Sequence, residues 1–198
     1  MAGTRPLAEV YESRLRLLAP RREQLDAVGE LYVRRLVPDA KVVVQALQFL
    51  GKSVGILSGG LLLPVQHVAD HLGIPRGTVH AVPVLFTPDG RYVDFDRSSP
   101  LWRNGGKVEL VRSLPATLRP MAFVGDGFTD AETRGHVARF IGYGGVVVRP
   151  PVRDRADVFV TEPSLGAILP HVLTPVERTR LAADPAFLAL MPWLTKAP

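Results

Sequence analysis

The sequence has no cysteine among its 198 residues, so it can form neither a disulfide framework nor a thiolate metal site. It also has no apolar run near the roughly 20 residues that a membrane-spanning helix needs. The first ten residues, MAGTRPLAEV, lack the basic-then-apolar pattern of a signal peptide. These absences favour a cytoplasmic protein with no membrane partner.

Lysine is scarce as well, and occurs only at positions 41, 52, 107 and 196. Arginine supplies most of the positive charge behind the net value of +5. The basic residues are spread along the chain and form no Lys/Arg run that alternates with aromatic residues, as a nucleic-acid platform would. The charge therefore indicates a solvated surface, and we expect no nucleic-acid partner.

What the sequence does contain is a composition typical of globular domains, with 46% hydrophobic and 22% charged residues. Apolar residues at helical spacing predict three N-terminal helices. Short apolar strands then alternate with helices, which favours an α/β fold with a parallel sheet covered on both faces. The predicted elements are helices at 6–18, 21–36 and 38–50, a strand at 54–57, a helix at 61–72, a hairpin at 79–95 with a TPDG turn, a helix at 106–114, a strand at 121–124, a helix at 128–135, and strands near 138–142 and 157–160. In the tail, Thr174 is the predicted N-cap of a further helix, with Pro175 at its first position and Glu177 closing a capping box.

Two of the predicted helix starts carry groups suited to an anion. Ser58-Gly59-Gly60 directly follows the strand at 54–57, and a hydroxyl with bare backbone N–H groups at a helix N-terminus suits a phosphate oxygen. The alternative is an ordinary β–α turn in which Ser58 is the N-cap. Lys107 opens the helix at 106–114, where its charge opposes the helix dipole. It either faces an anion or simply points into water.

The most specific segment is GDGFTD, residues 125–130, which follows the strand at 121–124. Asp126 and Asp130 lie four residues apart at the carboxyl end of that strand, where carboxylates can hold and orient Mg²⁺. Either one can instead cap a helix, but the glycine-flanked pair favours function. Because ligands bind beyond the carboxyl ends of parallel strands, we predict that Ser58, Lys107, Asp126 and Asp130 converge on one edge of the sheet.

Taken in order, LSGG (57–60), the GGK lysine, VGDGFTD (124–130) and FIGYGG (140–145) resemble motifs of the phosphoserine phosphatase branch of the haloacid dehalogenase (HAD) superfamily. The resemblance implies a Rossmann-like core with a parallel sheet and the remnant of a helical cap. Residues 1–36 would be the partial cap, 37–170 the core and 171–198 a helical tail. It also implies a Mg²⁺-dependent phosphomonoester hydrolase acting on O-phosphoserine, as in serine biosynthesis, and it allows a homodimer.

The resemblance assigns a role to each candidate residue of the core. Ser58 would bind the transferring phosphoryl group, and Gly59 would donate its backbone N–H. Lys107 would neutralise the phosphate and the aspartyl-phosphate intermediate. Asp126 would ligate Mg²⁺ directly, while Asp130 would support the metal shell or a bound water.

Two further residues belong to the predicted cap remnant. Met1 stands where the family has a substrate-contacting methionine inside its cap. Arg14 falls where the family's arginine grips the substrate carboxylate, a task for which a planar guanidinium is well suited. The alternative for Arg14 is a surface arginine on an amphipathic helix.

The family's nucleophile is missing from the sequence. Members begin with a strand that ends in Asp-x-Asp-x-Thr/Ser, whose first aspartate attacks phosphorus and whose second is the general acid/base. The only aspartates before Ser58 are Asp26 and Asp39, both in predicted helices, so the phosphoryl group has no covalent acceptor. That strand is central in the family, between the strands leading to Ser58 and Asp126. We therefore expect this chain alone to be inactive and unstable, and an in-frame upstream stretch to encode the strand.

Two other patterns imitate functional motifs. Asp94-Phe95-Asp96-Arg97-Ser98 fits the nucleophile pattern, but it follows the LSGG segment and ends a polar hairpin, so we reject it. His67 and His71 have metal-ligand spacing, but they lack an obvious third ligand, and we expect a solvated helix face.

Three alternatives to the leading interpretation stay open. The chain is a non-catalytic remnant that binds phosphate or Mg²⁺, a HAD phosphatase for another small phosphorylated metabolite, or a basic module for nucleic acid. Activity after restoring the upstream segment separates the first from an enzyme, and a steep salt dependence of binding favours the last.

Overall fold

The structure is a computed structural model that describes residues 7–197, so the candidate residue Met1 lies outside the described range. The α-helices are α1 (Leu7–Leu18), α2 (Arg22–Arg34), α3 (Ala40–Phe49), α4 (Leu62–Leu72), α5 (Gly106–Ser113), α6 (Phe128–Ala131), α7 (Pro150–Arg153), α8 (Leu169–Val172), α9 (Pro175–Ala182) and α10 (Met191–Leu194). The strands are β1 (Ile56–Leu61), β2 (Val79–Val82), β3 (Val84–Phe86), β4 (Tyr92–Phe95), β5 (Ala122–Gly125), β6 (Arg139–Tyr143) and β7 (Val158–Val160). Short 3₁₀ helices occur at Arg76–Thr78, Pro100–Trp102, Ala116–Leu118, Leu165–Ile168 and Pro185–Leu190.

Most predicted elements lie within two residues of their observed bounds, but the strand predicted at 54–57 is misplaced. It runs instead from Ile56 to Leu61, because its parallel pairing with β2 resumes after a register shift, with Leu61 opposite Val82. The predicted hairpin at 79–95 is shorter than expected for the same reason. Residues 79–82 pair with β1, and only β3 and β4 form the hairpin.

The helix predicted at 128–135 ends at Ala131. The Thr133 hydroxyl donates a hydrogen bond to the Asp130 carbonyl at 2.6 Å, and such local side-chain bonds compete with a continuing helix. Gly135 then adopts a φ of 84°, which a right-handed helix does not allow. The capping box at the C-terminal end, by contrast, is confirmed: Glu177 N donates to Thr174 Oγ1, and Thr174 N donates to Glu177 Oε2.

The chain forms two compact units. Of the described residues, the first unit comprises 7–35 and 55–113, and the second comprises 36–54 and 114–197. The assignment of residues 1–36 to a cap, 37–170 to a core and 171–198 to a tail stays a prediction, because compactness does not distinguish a cap from a core.

In the first unit, β1 and β2 are parallel, and β3 and β4 form an antiparallel hairpin in which Val84 lies opposite Phe95. The predicted TPDG turn closes this hairpin, with Gly90 N donating to Thr87 O at 2.9 Å. A buried cluster of Leu15, Val82, Phe95 and Leu101 joins α1 to the strands. The burial of each such side chain stabilises the unit by about 1.5–3 kcal/mol.

Helix α2 also belongs to the first unit and packs on α4. Gly29 is buried, and a Cβ built on it would lie 2.6 Å from the His67 ring, so only glycine permits this approach. The His67 Nε2 and Asp26 Oδ1 atoms are 3.0 Å apart. The expected solvated helix face is therefore wrong for His67, which is half-buried against α2, whereas His71 is exposed.

The second unit contains the three-stranded parallel sheet β5–β6–β7. Its middle strand is buried on both faces. Ile141 and Tyr143 pack in a cluster with α3 and the C-terminal helices, while Phe140 packs on the other side with Ala131 of α6 and Val152 of α7. The predicted α/β class, with a parallel sheet between helices, is confirmed.

The strands that lead to the candidate residues each have one paired edge. Among residues 7–197, β1 is hydrogen-bonded to β2 only and β5 to β6 only, so the predicted parallel sheet is present as two sheets. All six residues of β1 are half-buried, whereas Phe140 to Tyr143 of β6 are buried. None of the helices between residues 7 and 197 combines the length and apolar character needed to cross a membrane.

Candidate active site

Ser58 lies inside β1 and not at the start of the following helix. Its Oγ accepts a hydrogen bond from Gly60 N at 3.0 Å, and its side chain is half-buried. Helix α4 begins at Leu62 with Leu61 as its N-cap, which has no side chain that accepts a hydrogen bond. The N-cap alternative for Ser58 is therefore wrong. The hydroxyl instead accepts a hydrogen bond from the backbone two residues further along the same strand.

Lys107 is the second residue of α5, as the sequence predicts, and it is half-buried. The chain enters the helix through Gly105, whose φ of 74° favours glycine. At Gly106 there is no space for a side chain, because a Cβ would overlap the carbonyl oxygen of Pro100. Two adjacent glycines thus fix where the helix begins, and with it the position of Lys107.

Arg14 is exposed on α1, directly before the buried Leu15. It forms no ion pair with any residue in the described part of the chain. Its availability for an anionic ligand is what the cap resemblance requires. Its role in binding a substrate stays a prediction.

Asp126 follows β5 in the second unit and is exposed, whereas Asp130 is buried with 7% of its surface accessible. Asp130 Oδ2 accepts a hydrogen bond from Gly127 N at 2.8 Å. Gly125 has no room for a side chain, because a Cβ there would overlap the Asp130 carboxyl group. Asp130 therefore shapes the loop that presents Asp126, and its predicted place in a metal shell is not tested.

Arg149 is a residue that sequence reasoning missed. Its Nη1 donates to the Asp126 carbonyl oxygen at 2.9 Å and also to the Asp126 carboxylate. Arg149 follows β6, the strand beside β5, and parallel neighbours end at the same edge. That position, after the FIGYGG segment, is the signal from which the pair was predictable.

The carboxylates of the rejected nucleophile segment are occupied by local partners. Asp94 accepts hydrogen bonds from Phe95 N at 2.9 Å and from Arg97 at 2.5 Å, and the Arg97 bond lowers the pKa of Asp94. Asp96 accepts from Ser98 N at 2.8 Å, and hydrogen bonding by Ser98 lowers the pKa of Asp96. Both carboxylates therefore form local hydrogen bonds at the end of the hairpin.

The carboxylates of the candidate site suit a Mg²⁺ ion only if the ion keeps several of its waters. Within residues 7–197, no cluster of three or more His, Cys, Asp or Glu side chains is arranged to hold a metal. Mg²⁺ commonly keeps several waters and uses one or two carboxylates together with substrate phosphate oxygens. The exposed Asp126 carboxylate, which lies between Gly125 and Gly127, suits that arrangement.

The candidate residues fall in both units: Arg14, Ser58 and Lys107 in the first, Asp126 and Asp130 in the second. Lys107 lies in the first turn of α5 and Asp126 directly follows β5, whereas Ser58 lies inside β1 and Arg14 lies within α1. Their convergence on one sheet edge stays a prediction.

Known proteins resemble this chain closely. Phosphoserine phosphatase of Bos taurus is 34% identical over 164 residues, which is 82% of this chain and 73% of the bovine protein. The crystal structure of a phosphoserine phosphohydrolase-like protein from Francisella tularensis superposes with a TM-score of 0.70 at 25% identity, covering 79% of this chain and 74% of that one. A substrate-bound phosphoserine phosphatase structure has the same TM-score at 20% identity, covering 87% and 80%, and shares the fold. No family model matches the chain.

These likenesses define the class: the chain is a phosphatase of the HAD fold, a hydrolase. Within that class, the chain belongs to the phosphoserine phosphatase family.

Proposed function

We propose that this chain carries the phosphate-binding and metal-binding residues of a Mg²⁺-dependent phosphomonoesterase that acts on O-phosphoserine in the cytoplasm. The observation that carries the proposal is the order of its site residues in a chain 34% identical to phosphoserine phosphatase over 73% of the bovine protein. Ser58 ends the apolar part of β1, Lys107 opens α5, and Asp126 follows β5. A small phosphorylated amino acid is the partner that this set suits.

Each residue has a charge or donor that matches one part of such a substrate. The Ser58 hydroxyl and the Gly59 N–H would donate hydrogen bonds to the phosphoryl oxygens, and the ammonium of Lys107 would neutralise their charge. Arg14 would bind the substrate carboxylate through its guanidinium. Asp126 would hold the Mg²⁺, which supplies charge neutralisation at the phosphate when bound.

The proposal includes a nucleophile from outside this sequence. No Asp-x-Asp-x-Thr/Ser motif precedes Ser58, and Asp94 and Asp96 are engaged in the hairpin. We infer that an apolar strand carrying the attacking aspartate is encoded in frame upstream. Among residues 7–197, β1 and β5 each pair on one side, which supports this inference because unpaired edges of apolar strands are costly.

The test compares the chain as given with the chain extended by the in-frame upstream sequence. The purified chain as given should release no phosphate from O-phosphoserine above background with Mg²⁺, because no residue accepts the phosphoryl group. The extended protein should hydrolyse O-phosphoserine, and Asp126→Ala in it should abolish that activity. Robust turnover by the chain as given contradicts the inferred nucleophile. A stop codon between any upstream motif and Met1, without a frameshift, contradicts the inferred extension.

A non-catalytic role is the second candidate, and the missing nucleophile motif favours it. In that case the extended protein stays inactive, while the chain binds phosphate or O-phosphoserine in a Lys107-dependent manner. A different phosphorylated metabolite as the substrate would appear as hydrolysis by the extended protein that is faster with that compound than with O-phosphoserine.

A further inference from the structure

Arg97 follows strand β4 and joins the hairpin to helix α1 through two ion pairs. Its Nη1 donates to Asp94 Oδ2 at 2.5 Å, and its Nη2 donates to Glu12 Oε1 at 2.7 Å. Its Cζ lies 4.5 Å from the centroid of the Phe95 ring. The Arg97 guanidinium thus binds one carboxylate of the hairpin and one of α1 while it lies over the Phe95 ring. Its planar shape, with several N–H donors, is well suited to these contacts.

Apolar contacts fix the same face of α1 beneath these ion pairs. The Tyr11 ring stands edge-on to Phe95 with centroids 5.5 Å apart, and Leu15 is buried in the same cluster. Tyr11 and Leu15 lie on one face of the helix because they are four positions apart, and Glu12, three positions before Leu15, lies at the edge of that face. Glu12 therefore lies at the solvent-facing edge of this apolar contact, where it binds Arg97.

Arg14 lies beside this face and depends on it for its position. Successive residues of a helix are about 100° apart, so Arg14 projects away from the buried Leu15 and is exposed. Since no ion pair with the described residues fixes its side chain, the placement of its Cα is set by the attachment of α1.

We propose that Arg97 positions helix α1, and Arg14 with it, by binding Glu12 and Asp94 at the same time. This inference deepens the proposed function, on which the substrate role of Arg14 rests. It also gives the Asp94-Phe95-Asp96-Arg97 segment a purpose: the segment that imitates a nucleophile motif anchors the helix that carries a substrate-binding arginine. The proposal makes Arg97 a determinant of selectivity for phosphate esters that bear a carboxylate.

The first test measures amide hydrogen exchange of residues 8–18 by mass spectrometry in the full chain. Arg97→Gln removes both ion pairs, the one to Asp94 of the hairpin and the one to Glu12 of α1. The matched control is Arg16→Gln, because Arg16 binds the same Glu12 Oε1 at 3.2 Å from within α1 and is 79% exposed. We expect exchange in α1 to rise about 2- to 5-fold with Arg97→Gln and less than about 2-fold with Arg16→Gln. Equal exchange rates in the two variants overturn the proposal.

The second test compares binding of O-phosphoserine with binding of O-phosphoethanolamine, which lacks the carboxylate, by calorimetry with Mg²⁺ present. Without Arg97, α1 can take several positions against the hairpin, and only the fraction of molecules with Arg14 in the binding position has the full affinity. Arg97→Gln should therefore weaken O-phosphoserine binding about 2- to 5-fold and leave O-phosphoethanolamine binding unchanged. Faster exchange without a change in this selectivity overturns the positioning of Arg14.

A substitute variant and the binding result for the unaltered chain make both tests decisive. If Arg97→Gln fails to fold, Glu12→Gln removes the α1 carboxylate without touching the hairpin and should give the same two results. If the unaltered chain binds neither compound, the role of Arg14 in binding fails, whereas the proposed function is decided separately by hydrolysis with the extended protein. The exchange experiment then still decides whether Arg97 anchors α1.

Discussion

Asp126 lies in the loop after β5 and Asp130 lies in the helix α6 that follows, and their surroundings predict different effects of replacing each by alanine. Asp130 is 7% exposed, and its Oδ2 accepts the Gly127 N–H at the start of α6. Removing the carboxylate leaves that donor without its acceptor. A hydrogen bond to a charged group contributes about 1.5–3 kcal/mol. We therefore expect Asp130→Ala to lower the free energy of unfolding by about 2 kcal/mol.

Asp126 is more than half exposed and pairs with Arg149, which is 45% exposed. Surface ion pairs contribute about 0.2–1 kcal/mol, so Asp126→Ala should cost less than about 1 kcal/mol of stability. We propose that Asp126 holds Mg²⁺, so Asp126→Ala should instead abolish the stabilisation against heat that added Mg²⁺ is expected to give the folded chain.

The assay is urea unfolding followed by far-UV circular dichroism. With an m-value near 2 kcal/mol/M, a loss of about 2 kcal/mol lowers the urea midpoint by about 1 M. Asp130→Asn is the matched control, because its amide oxygen still accepts from Gly127 N, and it should lose about half as much. A urea midpoint for Asp126→Ala as low as that for Asp130→Ala would refute the assignment of a structural role to Asp130 and of a proposed ligand-binding role to Asp126.

Three further predictions concern the two units separately. Arg149→Gln should tighten Mg²⁺ binding measured by calorimetry about 2- to 5-fold, because the guanidinium competes for the Asp126 carboxylate; weaker binding would contradict this. Gly106→Ala should lower the thermal midpoint of unfolding by several degrees, since its Cβ overlaps the Pro100 carbonyl oxygen, and an unchanged midpoint would show that the α5 start is not fixed there. The pKa of Asp157 is lowered, first by a hydrogen bond from a backbone N–H and then by an arginine. The contribution of this carboxylate to stability is therefore present above the ordinary aspartate pKa of about 3.9. It is lost as the pH falls through the lower folded-state pKa. Asp157→Asn should therefore flatten the fall in urea midpoint below about pH 4; an unaltered slope would be evidence against this linkage.

Local signals in the sequence were reliable where the physics is local. The Thr174 capping box depends on residues three positions apart, and the observed bonds join Thr174 and Glu177 as predicted. The same holds for the start of α5 at Gly106 and for the turn at 87–90. Helices and turns are specified by neighbours along the chain, so their patterns are visible before folding.

The strands were less predictable because their partners are distant in sequence. β1 continues to Leu61 only because Val82 pairs with it. The helix α6 ends at Ala131, four residues before its predicted end, where the Thr133 hydroxyl bonds to the Asp130 carbonyl. Register and helix length here were decided by competition between bonds, which a periodic pattern does not record.

The sequence by itself determined the α/β class, the order of its elements and the identity of the family, because these depend on hydrophobic periodicity and on short motifs such as LSGG and VGDGFTD. Only the tertiary structure decided which side chains meet: Asp126 with Arg149 across 23 residues, His67 with Asp26 across 41, and Glu12 with Arg97 across 85. The physical reason is that hydrogen bonds and ion pairs need a few ångströms of proximity, which the packing of distant elements supplies and the order of residues along the chain does not.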